Sequence, residues 1–168
     1  MKRLVIPMTL VLFVAAMGCT NASVKTDFDP SRDFTTFQTY SWMELPLGTT
    51  YDATGKLHDH IRKTIDDQLK ANGLSLVADS PDLVVMYYGN KSSKVALSQS
   101  QYQYKYPMSG TMPYDEGTLV VDLIDPASDK IVWRGTAEGI LPEASNLDDK
   151  FKFIDKGVAD MFKKYPPK

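Results

Sequence analysis

Residues 117–137, GTLVVDLIDPASDKIVWRGTA, decide the fold. From Gly117 to Ile124 the residues are mostly branched and apolar, the composition of a strand. Asp125-Pro126-Ala127-Ser128-Asp129 then interrupts the run with turn formers. Proline presets φ there, and the Asp and Ser side chains bond their own backbone. Lys130 to Ala137 resumes the strand pattern. Two such runs joined by so short a turn pair as an antiparallel hairpin, so an antiparallel sheet forms the centre of the domain.

Working outward, Val24 to Phe28 alternates weakly and stops at the turn pair Asp29-Pro30. Phe37 to Trp42 predicts a second strand, with Phe37, Thr39 and Ser41 on one side and Gln38, Tyr40 and Trp42 on the other. A loop containing Pro46 and Gly48 follows. Leu57, Ile61, Ile65 and Leu69 then recur at helical spacing, and Asn72-Gly73 supplies a C-terminal cap. After Pro81, residues 82–88 form a nearly continuous apolar run, which predicts a strand covered on both faces. Leu147, Phe151, Ile154, Val158 and Phe162 space out a final amphipathic helix, and Tyr165-Pro166-Pro167 closes it. The expected fold is α+β, a largely antiparallel sheet of five or six strands packed by two amphipathic helices. It forms one domain over residues 24–168.

Composition narrows the function. The chain has 168 residues, 43% hydrophobic and 24% charged, which suits one compact domain. A net charge of −2 lacks the basic excess of a nucleic-acid binder. Two His and one Cys leave little for a transition-metal site, a disulfide framework or a Cys–His catalytic pair.

Residues 1–19 read MKRLVIPMTLVLFVAAMGC. Lys2 and Arg3 precede an apolar run from Leu4 to Met17 that is too short for a spanning helix of about 20 residues. That is the shape of a secretory signal, assigned here to residues 1–18. Ala16-Met17-Gly18-Cys19 resembles the lipobox of bacterial lipoproteins, although Leu is usual where Ala16 stands. The resemblance implies cleavage before Cys19, a diacylglyceryl group on its thiol and a further acyl chain on the freed amine. Each buried methylene contributes about 0.8 kcal/mol, so two or three chains make a lasting membrane anchor. Residues 19–23 are then the lipidated cysteine and a short tether. Without residues 1–18 the chain carries 17 basic and 21 acidic side chains, a net of −4. Thr20, where bacterial lipoproteins retained in the inner membrane tend to have Asp, favours the outer membrane.

Each candidate for chemistry meets a structural reading. His58 and His60 flank Asp59, but residues two apart on a helix point in opposed directions and do not grip one ion. They are expected to be surface histidines. Asp27 to Asp33 superficially resembles a calcium loop, yet Ser31, Arg32 and Gln38 stand where the pattern wants an acid or amide, Gly and Glu. Asp29 and Asp33 are instead expected to bond backbone N–H groups in turns. Asp66-Asp67 and Asp148-Asp149 are expected on solvated helix faces, since adjacent helical carboxylates diverge. Trp42 and Trp133 are expected in the core or packed on the sheet. No nucleophile elbow, phosphate loop or dinucleotide fingerprint occurs. No catalytic, metal or cofactor residue is assigned.

Ser98 to Tyr106 is the one unusual stretch. In an extended chain Tyr102, Tyr104 and Tyr106 share a face, with Gln101, Gln103 and Lys105 on the other. From Leu83 to Tyr114 there is no acidic residue, while Lys91, Lys94 and Lys105 are present. Tyr102, Tyr104, Tyr106 and Lys105 suit a contact surface for a glycan or an envelope partner. They equally suit an edge hairpin whose lysine discourages edge-to-edge pairing.

Several segments together resemble one family. Tyr40-Ser41-Trp42, Asn72-Gly73-Leu74, residues 80–85, the strand from Gly117 to Asp125, residues 131–135 and Tyr165-Pro166-Pro167 are similar, in order, to the bacterial lipoproteins grouped as domain of unknown function 4136. The resemblance implies location and architecture, with no catalytic residue to carry over. The expected protein is a lipid-anchored outer-membrane lipoprotein facing the periplasm, joined to the membrane through the lipid on Cys19. Its role is expected to be non-catalytic binding or assembly, with no cofactor and no nucleic-acid partner. Glycan or small-molecule binding through Tyr102 to Tyr106, and a hydrolase with an unrecognised site, are the two competing classes.

Overall fold

The predicted hairpin forms the middle of the sheet. The computed structural model describes residues 22–43, 55–97, 111–140 and 147–167. Strand β1 spans Ser23–Phe28 and β2 spans Thr39–Trp42, with a short 3-10 turn at Phe34–Thr36 between them. Helix α1 (Lys56–Ala71), β3 (Ser75–Leu76), β4 (Leu83–Leu97), β5 (Thr111–Asp125), β6 (Lys130–Ile140) and α2 (Leu147–Phe162) complete the order. The six strands form one sheet in the order β1-β6-β5-β4-β2-β3. β1, β6, β5 and β4 pair antiparallel, whereas β2 lies parallel to both β4 and β3. The parallel pairs arise because α1 lies between β2 and β4 in the chain, the crossover that parallel strands require.

Both helices pack on the same face of the sheet. On α1 the buried residues are Ile61, Ile65 and Leu69. It ends in a Schellman cap: Leu74 N–H donates to Leu69 C=O at 3.1 Å and Gly73 N–H to Lys70 C=O at 3.0 Å. Gly73 adopts φ +89°, where glycine carries no steric penalty. α2 approaches β6 closely because neither side offers bulk: Gly157 faces Ala137, and Met161 lies over Gly135. At the C-terminal end Trp133, Phe162, Tyr165 and Phe34 form an aromatic cluster with ring centres 5.0–5.9 Å apart.

Three expectations need correction. Residues 83–88 are covered on one face only: Leu83, Val85 and Tyr87 are buried, while Val84 and Met86 are half-buried and Tyr88 is exposed. The continuity of the run masked an ordinary alternation. On α2, Leu147 is exposed, and Phe153, Gly157 and Met161 join Val158 and Phe162 in the buried face. The helix sits in the angle between β6 and α1, so it buries a wider arc than one stripe. Finally, strands β4 and β5 are longer than their apolar runs. β4 and β5 remain paired from Val84↔Ile124 out to Leu97↔Thr111.

Candidate functional site

Helix α1 lies on the sheet beside α2, and its polar residues divide between the two neighbours. His58 faces the sheet, where its Nδ1 is hydrogen-bonded to the Tyr87 hydroxyl. His60 faces α2. Its ring stacks on Phe151 at 4.0 Å and 12°, and its Nε2 lies 2.7 Å from Asp155 Oδ1. Thr64 Oγ1 donates to the same oxygen at 2.8 Å. The two imidazoles diverge as their spacing predicts. They are nevertheless half-buried contacts between elements, not the plain surface histidines expected.

Asp66 also departs from expectation. It accepts from the Tyr40 hydroxyl at 2.6 Å and from Trp42 Nε1 at 3.1 Å, tying α1 to β2. Its neighbour Asp67 stays on the solvent side, paired with Lys63 at 2.6 Å. Burial, then the bond to Asp66, drives the Tyr40 phenol well above its ordinary pKa. The Arg62 guanidinium lies 4.7 Å over the Trp42 ring, a cation–π contact, and Trp42 meets Tyr87 edge-on at 6.1 Å. The alternation predicted for β2 thus holds, with Tyr40 and Trp42 together on the helix side. Between these groups lies a recess of about 30 Å³ bordered by Trp42, Met43, His58, Arg62 and Tyr87. That is room for a water molecule. A broad groove of about 470 Å³ runs above it along the charged side of α1.

The sheet face away from the two described helices holds a pair that sequence reasoning missed. Asp122 is fully buried, and Arg134 grips it with Nε at 2.6 Å from Oδ1 and Nη2 at 2.7 Å from Oδ2. This fork, with the charge of the Asp122 carboxylate, holds the guanidinium pKa above its already high value, against the burial that lowers it. Counting back from the turn, Asp125↔Lys130 and Ile124↔Ile131 lead to Asp122 opposite Trp133. A bulge between Leu123 and Ile124 adds one residue and sets Asp122 opposite Arg134 instead. The signal available in the sequence was an Asp within one apolar run and an Arg within its partner.

At the turn end of the sheet, Arg32 pairs with Asp125 at 2.6 Å and donates to Ser128 at 2.7 Å. Asp29 and Asp33 accept from the backbone N–H groups of Ser31 and Thr35, as the turn reading expects. The Ser31 and Thr35 hydroxyls donate to the same carboxyls at 2.6 Å, and those bonds, then the backbone ones, hold both carboxyls below their ordinary pKa. Asp82 accepts from the N–H groups of Gln38 and Thr39 and so pins the start of β2 to β4. Trp133 is fully buried, and Trp42 is half-buried on the sheet, as expected. Among the described residues no three His, Cys, Asp or Glu gather as a metal site. None of the described helices is long and apolar enough to cross a membrane. Cys19, Tyr102, Tyr104, Lys105 and Tyr106 lie outside the described residues.

The model of the domain of unknown function DUF4136 matches residues 24–167. The chain belongs to that family. No curated protein matches the sequence of this DUF4136 chain. Among solved structures it is similar to a PDZ domain protein from Parabacteroides distasonis, at 17% identity and a TM-score of 0.59. The match covers 89% of this chain and 37% of that protein, so the DUF4136 chain spans little more than a third of its length. A minor lipoprotein from Acinetobacter baumannii aligns at 14% identity and a TM-score of 0.47, over 76% of this chain and 91% of that one. PelC from Paraburkholderia phytofirmans, a dodecamer, aligns at 17% identity and 0.44, over 84% and 97%. At 17% identity the likeness to the first of these concerns the fold alone.

Proposed function

We propose that this DUF4136 chain is a lipid-anchored outer-membrane lipoprotein whose domain faces the periplasm and serves as a non-catalytic binding or assembly module. The observation that carries the reading is the placement of Cys19. It is the single cysteine of the chain, it follows a basic and apolar leader with Gly18 before it, and β1 begins at Ser23. Three residues separate the thiol from the sheet, a reach of about 10 Å. An acylated Cys19 therefore holds the edge strand β1, and the domain behind it, against the bilayer. Lipidation consumes the thiol, which leaves no cysteine nucleophile. The binding role is supported by how the polar groups are spent. His58 with Tyr87, His60 with Asp155, Asp66 with Tyr40 and Trp42, and Asp122 with Arg134 all join one element to another.

The test is Cys19→Ser expressed in a bacterial host with radiolabelled palmitate. The expected result is loss of the label and accumulation of the uncleaved precursor, with the unmodified protein labelled and fractionating with the outer membrane. Normal cleavage of Cys19→Ser, or a native protein that carries no acyl group, overturns the anchoring.

A further inference from the structure

The strand register places three rows of side chains on the face of the sheet away from the helices. Asp27, Arg134, Asp122 and Met86 form the central row, across β1, β6, β5 and β4. Lys25, Thr136, Val120 and Tyr88 form a second, and Ile131, Ile124 and Val84 a third. The residues of opposite parity, Trp133, Gly135, Val121, Leu123, Val85 and Tyr87, lie on the helix side. Among the described residues no helix covers these rows.

In the middle of this face sits the fully buried Asp122 with its arginine. An apolar pair of similar volume commonly holds a fold as well as a buried ion pair does, or better. What the ion pair does, and an apolar pair does not, is fix a guanidinium. With Nε and Nη2 spent on Asp122, the Nη1 edge turns away from the carboxylate, and the Arg134 side chain remains 40% exposed. On one flank the Tyr88 ring, itself 41% exposed, lies 6.0 Å from the guanidinium carbon. On the other flank, in the same row, stands the carboxylate of Asp27. Beside them a recess of about 350 Å³ runs past Asp27, Asp29, Ile131 and Arg134, within the size range of ligand sites.

We infer that this face is a saccharide-binding site centred on Arg134. The charges of the first two rows balance, two cationic (Lys25, Arg134) and two anionic (Asp27, Asp122), so the face selects neither an anion nor a cation. It offers a fixed donor edge, a neighbouring acceptor, an exposed aromatic ring and the aliphatic Ile131. A sugar ring presents the complement: hydroxyls that both donate and accept around its edge, and C–H faces that lie on an aromatic surface. Asp122 is a positioning residue; Arg134, Asp27 and Tyr88 make the contacts. The inference deepens the binding-module reading and rests on its non-catalytic part. Anchoring is read by acyl labelling and saccharide binding by titration, so the two fail separately.

The experiment is isothermal titration of the mature protein, in detergent micelles, with tetra-N-acetylchitotetraose and with maltotetraose. Saturable binding of at least one is expected, with Arg134→Lys and Tyr88→Ala each weakening it tenfold or more, about 1.4 kcal/mol. The double variant Asp122→Leu with Arg134→Met separates structure from binding. It is expected to melt within a few degrees of the unmodified protein and to lose the saccharide. No saturable binding of either saccharide by the unmodified protein overturns the inference. So does binding that survives Arg134→Lys and Tyr88→Ala unchanged.

Discussion

Gly135 is where the fold tolerates least. A methyl group added there would lie 2.6 Å from Trp133 Cη2, 2.8 Å from Met161 Sδ and 3.1 Å from Met161 Cβ. Trp133 and Met161 are both fully buried, so neither has open space to move into. Overpacking a tight core by one methylene costs about 1–3 kcal/mol. Taking about 2 kcal/mol, Gly135→Ala should lower the melting temperature by roughly 4–8 °C for a domain of this size. Gly157→Ala is the control, because its added methyl would stand 3.1 Å from Ala137 Cβ. That contact is tight but single, and replacing a glycine inside a helix returns about 1 kcal/mol of propensity. Gly157→Ala should therefore fall within about 1 kcal/mol of neutral. The assay is urea unfolding followed by tryptophan fluorescence, with equal slopes confirming that stability alone has changed. The mechanism is then tested in a Met161→Ala background, which removes the sulfur contact and leaves those of Trp133 and the Cβ at position 161. There the cost of Gly135→Ala should shrink by about 0.5 kcal/mol or more, the signature of a shared contact. If Gly135→Ala costs less than about 0.5 kcal/mol, or the same in both backgrounds, the close approach of α2 to β6 is not what holds this seam.

Two further predictions follow from groups inside the same core. Asp66→Ala strands the Tyr40 hydroxyl and the Trp42 indole N–H together, and should cost about 2–4 kcal/mol in urea unfolding; Asp67→Ala, whose partner is the exposed Lys63, should cost less than about 1 kcal/mol. Among the described residues nothing hydrogen-bonds the buried Tyr165 hydroxyl, and burial pushes its pKa up to about 12. Because the folded state raises the pKa of an acid, its contribution is intact below the unfolded value near 10 and is lost as pH climbs from there toward 12. Melting curves between pH 9 and 12 should therefore fall on the alkaline side, less steeply in Tyr165→Phe, which also stabilises at neutral pH by removing an unsatisfied polar atom. An unchanged alkaline slope in that variant refutes the assignment.

Local periodicity made the architecture legible where a single element decides its own geometry. The hairpin from Gly117 to Ala137, the ladder Leu57-Ile61-Ile65-Leu69 and the cap at Asn72-Gly73 needed no knowledge of neighbours. What failed depended on partners distant in sequence. The two-residue β3 exists through Thr39 and Tyr40, with which it pairs, so it has no signature of its own. The outer part of β4, from Gly89 to Lys94, is polar and non-alternating, and its strand conformation is imposed by pairing with β5. Asp66 was placed on a solvated face because helix periodicity does not reveal that Tyr40 and Trp42 reach across to it. The same holds for His60, whose partners Phe151 and Asp155 lie more than ninety residues away. Asp122 and Arg134 are twelve residues apart, and the bulge that sets them opposite each other is not marked by the hairpin pattern. The leader and Cys19, by contrast, are read from linear pattern alone.

The two faces of the sheet follow different rules, and that difference directs where function is sought. On the helix side the residues answer to packing: Gly135 and Gly157 are small so that α2 can approach, Trp133 fills the space between them and Phe162, and Asp66 satisfies donors that the core would otherwise strand. Each of these choices lowers the free energy of the folded chain. On the other side the choices do not reduce to stability. A buried carboxylate stands where a leucine would serve, its arginine is held rigid yet left 40% exposed, and a tyrosine ring stands uncovered beside it. A residue whose cost is not recovered in packing is a candidate for contact with a ligand. By that reasoning the helix side explains how this domain stands, and the row from Asp27 to Met86 is where the proposed saccharide site is to be tested.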